Sequence, residues 1–455
     1  MSTAIILFTF AAVPCLGNSL QLNSSALDPT LFHVTEFATG LSNPLASVRL
    51  SDGSIGVGTY NSILRFTDTN HDGVADAAGS ALYSAPGARL GLVEAGGYYI
   101  DSHFHYITSS PSSTITILQP GTTAADQLTV VGTLQVAFPS GWIHSQPGIA
   151  VRPTPRAAGS FDLVFNVGSQ FDHSVSTSPV QVSGLTTAAV DGDSLYALTL
   201  NLSGAAPSAS NVRKIASGIR NVIGMGFQPG TGDFYFVDNA IDGTGPLGDE
   251  PPQAEELNRI SAADFDNGSP HDFGYPNCYV QYRTGTQIGS GCVTPLVALQ
   301  PIPNGTALGS ESEGATQLAF APANFPAAFR NGVFIGFSGK GRVTGTANEE
   351  NAIVYYDFTS GNFIHFSENS QNGVYQPIGL LSTEDALYIS DFGAGKVYQV
   401  SAVPEPGTLW LMAIATLLLL AAGRYAVRDH SDPESSGPGP AWAHDRYADK
   451  YWQRR

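Results

Sequence analysis

The sequence predicts an all-β chain folded as a six-bladed β-propeller, with a signal peptide before it and one hydrophobic helix after it. Three observations carry that reading. Charged residues make up only 13% of the 455 while Gly (50) and Pro (29) abound, a composition suited to many short strands and tight turns. One pattern recurs six times: an apolar opening phrase, a turn containing Gly, Asp or Pro, and then short strands rich in aromatic and β-branched residues. The copies are unevenly spaced, roughly fifty to a hundred residues apart, as expected for four-stranded blades with long insertions between strands.

The first copy is FATGLSNPLASVRLSDGSIGVGTYNSILRFTD from Phe37, and GLVEAGGYYIDSHFHYITS follows from Gly91. QPGIAVRPTPRAAGSFDLVFNVGS starts at Gln146, and ASGIRNVIGMGFQPGTGDFYFVDNA at Ala216. GATQLAFAPANFPAAFRNGVFIGFS from Gly314 and QPIGLLSTEDALYISDFGAGKVYQV from Gln376 complete the set. Each opening phrase reads as the innermost strand of its blade, lining a central channel. The polar pair Arg220 and Asn221, directly before the apolar VIGMGF, then faces that channel and not a sheet interior. The longest insertion, roughly Asp242 to Ser312, is expected between blades four and five, and loops on a rigid scaffold are where function concentrates. The propeller is assigned to residues 30–401.

Residues 1–19 contain the short apolar run AIILFTFAAVPCLG, read as a secretory signal peptide although no Lys or Arg precedes it. Cleavage near Gly17 or Ser19 removes Cys15 and leaves Cys278 and Cys292, which in an exported protein read as a disulfide closing a short loop. Residues 403–428 open on Pro404, Glu405 and Pro406. The apolar run Thr408 to Gly423 comes next, short for a membrane span but flanked by Trp410, Arg424, Tyr425 and Arg428. This order resembles the PEP-CTERM sorting signal, in which the tripeptide implies recognition by an exosortase, processing at the membrane and association with the surface or exopolysaccharide; the plainer alternative is a C-terminal anchor. Here the chain continues past the basic residues through 429–455, a polar, Pro- and Gly-rich tail read as disordered.

A formal charge of −18 and the absence of any Lys/Arg cluster exclude a nucleic-acid partner. Two local motifs bear on metals. In DTNHDGVAD, the residues Asp68, Asn70, Asp72 and Asp76 around Gly73 have the spacing of a tight calcium loop, or equally of a polar turn between strands. Asp101, His103 and His105 alternate along a strand, a zinc-like pair without a third ligand and more simply an exposed polar face.

The phrases SGIRNVIGMGFQPGTGDFYFVDNA, GPLGDE, EELNRI and DFGYPNCY, preceded by GWIHSQPGIAV and FNVGSQ, resemble the soluble glucose and sorbosone dehydrogenases that use pyrroloquinoline quinone. The resemblance spans most of the chain from Phe37 to Val400 and is strongest from Ile215 to Tyr279. It implies a sugar substrate, with His144 as the base that takes a hydroxyl proton, Gln170 beside the cofactor, and Arg220 and Asn221 in contact with the quinone. It also implies that the carbonyls of Gly245 and Pro246 ligate a calcium ion and that Glu256 serves a nearby structural calcium. Two departures stand out. Ile143 replaces the Asp common before the histidine, and in the last two blades the candidate cations are only Lys340, Arg342 and Lys396. A propeller acting as a surface or matrix binding protein, and a calcium-dependent lactonase-type hydrolase, are the rival expectations; in the former, Arg220 and Asn221 tie neighbouring blades by hydrogen bonds and His144 is a solvated blade-edge residue.

Overall fold

A computed structural model describes residues 20–105, 109–155, 157–243, 250–303, 305, 312–338, 348–368 and 376–404, with 414, 417 and 418. Gly245, Pro246, Lys340, Arg342, Glu405 and Pro406 lie outside the described residues. The described strands form six blades in chain order. Their innermost strands are Ser47–Arg49, Ala88–Ala95, Ile149–Pro153, Val222–Phe227, Ala315–Phe320 and Pro377–Ser382. Each packs against the next around a ring, and the sixth packs against the first.

The ring is closed by the N-terminal strand Phe32–Ala38. It pairs antiparallel with Lys396–Ala402 and becomes the outermost strand of blade 6. Phe32 anchors it, meeting Phe325, Phe329 and Phe366 edge to face at centroid distances of 5.3, 5.3 and 5.4 Å.

Every blade is buried on both faces, which explains why its middle strands read as continuous apolar runs and not as alternating ones. In Phe234–Asp238, Phe234 and Phe236 pack towards blade 3, while Tyr235 and Val237 pack towards blade 5. One such core fills each of the six seams between neighbouring blades. The innermost backbones approach so closely that some positions admit only glycine. A Cβ on Gly148 would lie 2.5 Å from the carbonyl oxygens of Val222 and Ile223, and one on Gly379 would overlap the Leu45 carbonyl.

Insertions sit differently from the expectation. The segment from Asp242 to Ser312 supplies the third and fourth strands of blade 4, Glu255–Ile260 and Val297–Leu299, and is not simply a link between blades four and five. Long insertions also widen the preceding blade. The hairpin Val180–Gly184 and Ala188–Val190 extends blade 2 to six strands, and His271–Asp272 adds a fifth to blade 3, covering strand edges that would otherwise be open.

From Pro404 the chain forms a second unit, in which Ile414, Leu417 and Leu418 are helical and exposed. Among the described residues no helix is long and apolar enough to cross a membrane; the expected span lies almost entirely outside them.

Replacing Gly379 by Val should destabilise the chain by about 1–3 kcal/mol or more, since the clash is with backbone that cannot turn aside. Gly226→Ala, whose Cβ would meet only the side chains of Leu318 and Phe320 at 3.3 Å, should cost much less. Chemical denaturation midpoints check this, and equal midpoints for the two variants would contradict it.

Candidate active site at one end of the channel

All six innermost strands begin at the same end of the channel, and the resemblance-derived residues that are described gather there. Just inside this end an apolar floor is built from Leu45, Leu90, Ile223, Ile378 and Phe392 of four blades. Beneath it Gln317 of blade 5 crosses to the opposite side of the ring. Its Nε2 donates to Leu90 O of blade 2 at 2.5 Å, and its Oε1 accepts from Leu380 N at 3.0 Å. The side chain of Gln317 therefore spans the channel beneath its start end, the bowl.

Arg220 and Asn221 stand at the rim because their backbone N–H groups are gripped by Asp238, the last residue of the neighbouring strand, at 2.8–3.0 Å. The Arg220 guanidinium is buried and bound to two carboxylates. Nε lies 2.7 Å and Nη2 2.5 Å from Asp172, and Nη2 lies 2.9 Å from Asp242. Burial works against the Arg220 charge, but Asp242 and Asp172 overcome it and hold its pKa above the ordinary value. Asn221 Oδ1 accepts from Asn166 of blade 3 at 3.4 Å, so the pair does tie blades together.

His144 is buried, not solvated, in the segment leading into blade 3. Its Nδ1 lies 2.6 Å from Ser169 Oγ, and its backbone N–H donates to Ser169 O at 3.3 Å. Burial first and the facing Arg220 second push its pKa well below the ordinary value, against the pull of Asp242. The imidazole is accordingly neutral near pH 7. Gln170 turns towards its own loop, where Oε1 accepts from Thr177 N at 3.1 Å.

Around this core lies a set of buried carboxylates that the sequence reading largely missed. Glu255 accepts from Ala240 N at 3.1 Å and Gly314 N at 2.9 Å, and burial pushes it up to about 7. Glu313 accepts from Tyr282 OH at 2.7 Å and Asn351 Nδ2 at 2.6 Å, and burial raises it to about 8. Glu256 accepts from Val280 N at 3.1 Å, and burial with the nearby Asp238 raises it to about 8. Asp238 itself is pushed by burial up to about 6. Val280 belongs to the loop in which Cys278 and Cys292 are joined in a disulfide, with Cα atoms 6.3 Å apart. The same loop reaches the bowl through Tyr275, whose hydroxyl donates to Phe171 O at 2.7 Å.

The other motifs lie apart. Asp68, Asn70, Asp72 and Asp76 occupy the connection between the third and fourth strands of blade 1. There Asp68 accepts from the N–H groups of Asp72 and Gly73 at 3.2 and 3.0 Å, and Asp76 from that of Thr69 at 3.0 Å, the bonding of a polar turn. Asp101 and His103 are buried and not on an exposed face. Asp101 lies 3.0 Å from His103 Nδ1 and 3.5 Å from Arg89 Nε, and Arg89 donates to the carbonyls of Thr59, Ala85 and Gly87. The buried Arg89 draws the carboxylate inward, so this cluster staples blade 1 to blade 2. Among the described residues no group of three or more His, Cys, Asp or Glu is arranged to hold a metal ion.

The raised carboxylates set a pH dependence. Folded Glu255, Glu256 and Glu313 keep protons that the unfolded chain releases near pH 4.5, so the folded state binds more protons between about pH 4.5 and 8 and stability falls as pH rises through that window. In metal-free buffer the melting temperature should be higher at pH 5.5 than at pH 8.5. A melting temperature that rises over that range would contradict the protonated assignment.

Residues 402–428 match the PEP-CTERM protein-sorting motif. No curated protein matches the sequence significantly. Among solved structures, the chain is similar to a calcium structure of Carbohydrate-Active Enzymes Family AA12 from Trichoderma reesei, with 16% identity, 86% of this chain and 99% of that one covered, and a TM-score of 0.59. It is also similar to the holo pyrroloquinoline-quinone domain of pyranose dehydrogenase from Coprinopsis cinerea, with 16% identity, coverage of 84% and 97%, and a TM-score of 0.53. A glucose dehydrogenase structure aligns at 14% identity, over 82% of this chain and 100% of that one, with a TM-score of 0.50. The chain is a six-bladed β-propeller with the fold of these solved structures, and it carries a PEP-CTERM sorting motif at its C-terminal end.

Proposed function

We propose that the protein is an exported, surface-tethered sugar dehydrogenase that oxidises an alcohol group of its substrate with pyrroloquinoline quinone and calcium. The observation that carries this reading is the convergence of a neutral His144 with Arg220 and Asn221 over an apolar floor at one end of the channel. The sorting motif supports export and handling by an exosortase. Tethering through the segment after Pro404 belongs to the same proposal.

The donor set fits calcium. Asn166 Oδ1, Asn239 Oδ1 and Gln376 Oε1 are buried oxygens without a partner among the described residues, and hard oxygen donors are what that ion takes. Gly245 and Pro246 are the proposed ligands of the calcium beside the quinone and Glu256 of a nearby structural one, with the Asp68–Asp76 loop as a separate candidate. Arg220 and Asn221 fit the polar edge of a quinone, and the floor fits its ring. Its carboxylates need more cations than Arg220, and Lys340 and Arg342 are proposed for them. A bound quinone supplies the hydride acceptor. The chain's own residues supply the rest: His144 takes the proton from the substrate hydroxyl, Arg220 and Asn221 orient polar groups, and the floor keeps water from below.

The surplus of buried carboxylates favours one second reading, a calcium-dependent lactonase-type hydrolase, because such a reaction needs the cation but no anionic cofactor. Reconstituting the purified full chain with quinone and calcium, and following dye reduction across a sugar panel, separates the two. Turnover is expected, with His144→Ala lowering kcat by about 10²–10⁴-fold while quinone affinity is kept. Lactone hydrolysis without quinone, and no quinone binding at micromolar concentrations, would overturn the dehydrogenase reading.

A further inference from the structure

Ser169 is fully buried, and its hydrogen bonds tie His144 of the blade 3 segment to Arg220 at the entry to blade 4. Its N–H donates to Arg220 O at 2.7 Å, and its carbonyl accepts from His144 N at 3.3 Å. Its Oγ lies 2.7 Å from Phe171 O and 2.6 Å from His144 Nδ1. A hydroxyl has one proton to give. Two oxygens held 2.7 Å apart repel unless a proton lies between them, and a carbonyl cannot supply it, so the Ser169 proton points at Phe171 O. Oγ then meets His144 with a lone pair, and the 2.6 Å contact is a hydrogen bond only when Nδ1 carries the hydrogen.

The arrangement is supported from behind. Tyr275 OH donates to the same Phe171 carbonyl at 2.7 Å, and Trp142 Nε1 donates to Gly168 O at 3.1 Å. Gly168 lacks the Cβ that would fall 2.7 Å from His144 O and 3.1 Å from Arg220 O, which lets His144, Ser169 and Arg220 pack this closely.

We propose that Ser169 is the positioning residue that locks His144 in its Nδ1–H tautomer and leaves the Nε2 lone pair to receive the substrate proton. This rests on the dehydrogenase reading for the identity of that proton. Among the described residues none hydrogen-bonds Nε2. Proton transfer would form an N–H bond at Nε2 as the substrate O–H bond breaks, and a bound quinone would supply the acceptor for the hydride of the same carbinol carbon. A neutral hydroxyl partner orients the ring without balancing the imidazolium that forms.

The test is a two-bond ¹⁵N–¹H correlation spectrum of the imidazoles in the quinone-free full chain, with the His144 signals assigned by their loss in His144→Gln. The expected spectrum has Nδ1 protonated and Nε2 bare near neutral pH. Ser169→Ala should give a mixture of tautomers, and Ser169→Thr should restore the single form. In the reconstituted protein Ser169→Ala should lower kcat on the order of tenfold or more at unchanged quinone affinity, again restored by Thr. A wild-type His144 protonated on Nε2, or an Ala variant with an unchanged spectrum, would overturn the proposal. The spectra need neither quinone nor substrate, so the expected tautomer without dye reduction counts against the dehydrogenase reading alone.

Discussion

The close, face-to-face burial of each blade against two neighbours is the constraint on which the rest of the structure depends. It forces both faces of a middle strand such as Phe234–Asp238 to be apolar, and it brings the innermost backbones within reach of one another at positions such as Gly148 and Gly379. Such a ring leaves no sheet interior for polar chemistry. Charged side chains are driven to the strand ends, to the outer loops, or into ion-paired clusters such as Arg89, Asp101 and His103. Closure by Phe32–Ala38 and the bridge from Gln317 to Leu90 then turn one end of the channel into a fixed, floored bowl.

Within that bowl the electrostatics are dominated by desolvation. Taking Arg220 out of water is expensive, and leaving it unpaired would cost on the order of 3–5 kcal/mol, so its two carboxylates are part of how it is tolerated there. An anionic ligand cannot simply be added to Arg220; it has to replace Asp172 or Asp242, or be held by other cations. Asp238, Glu255, Glu256 and Glu313 answer the same desolvation by holding protons more tightly, which lets a rim rich in carboxylates avoid mutual repulsion.

The blades were legible in the sequence because their physics is local. Each opening phrase and turn marks an innermost strand; five of the six quoted copies contain a whole one, and the second, from Gly91, starts inside Ala88–Ala95. The position of Arg220 and Asn221 at the channel mouth followed from that repeat. What was not legible is what depends on contacts distant in sequence. Phe32–Ala38 has no copy of the pattern, because its partner lies at the other end of the propeller. The insertion from Asp242 to Ser312 looked like a link between blades because its strands, EELNRI and VAL, are short and separated by the disulfide loop. Asp172 and Asp242 read as ordinary loop acids, and only folding shows them meeting on one guanidinium. Ser169 carries no signal of its own in FNVGSQ beyond its place in a phrase that the resemblance already marked.

The central claim is that the bowl at the start of the innermost strands is the working site. A crystal structure of the full chain soaked with pyrroloquinoline quinone and calcium tests it most directly. The account predicts an ordered quinone on the floor of Leu45, Leu90, Ile223, Ile378 and Phe392, within hydrogen-bond reach of Arg220 and Asn221, with at least one of Asp172 and Asp242 displaced from the guanidinium. Quinone bound at the opposite end of the channel, or a bowl that keeps both ion pairs and no cofactor at saturating concentration, would contradict it.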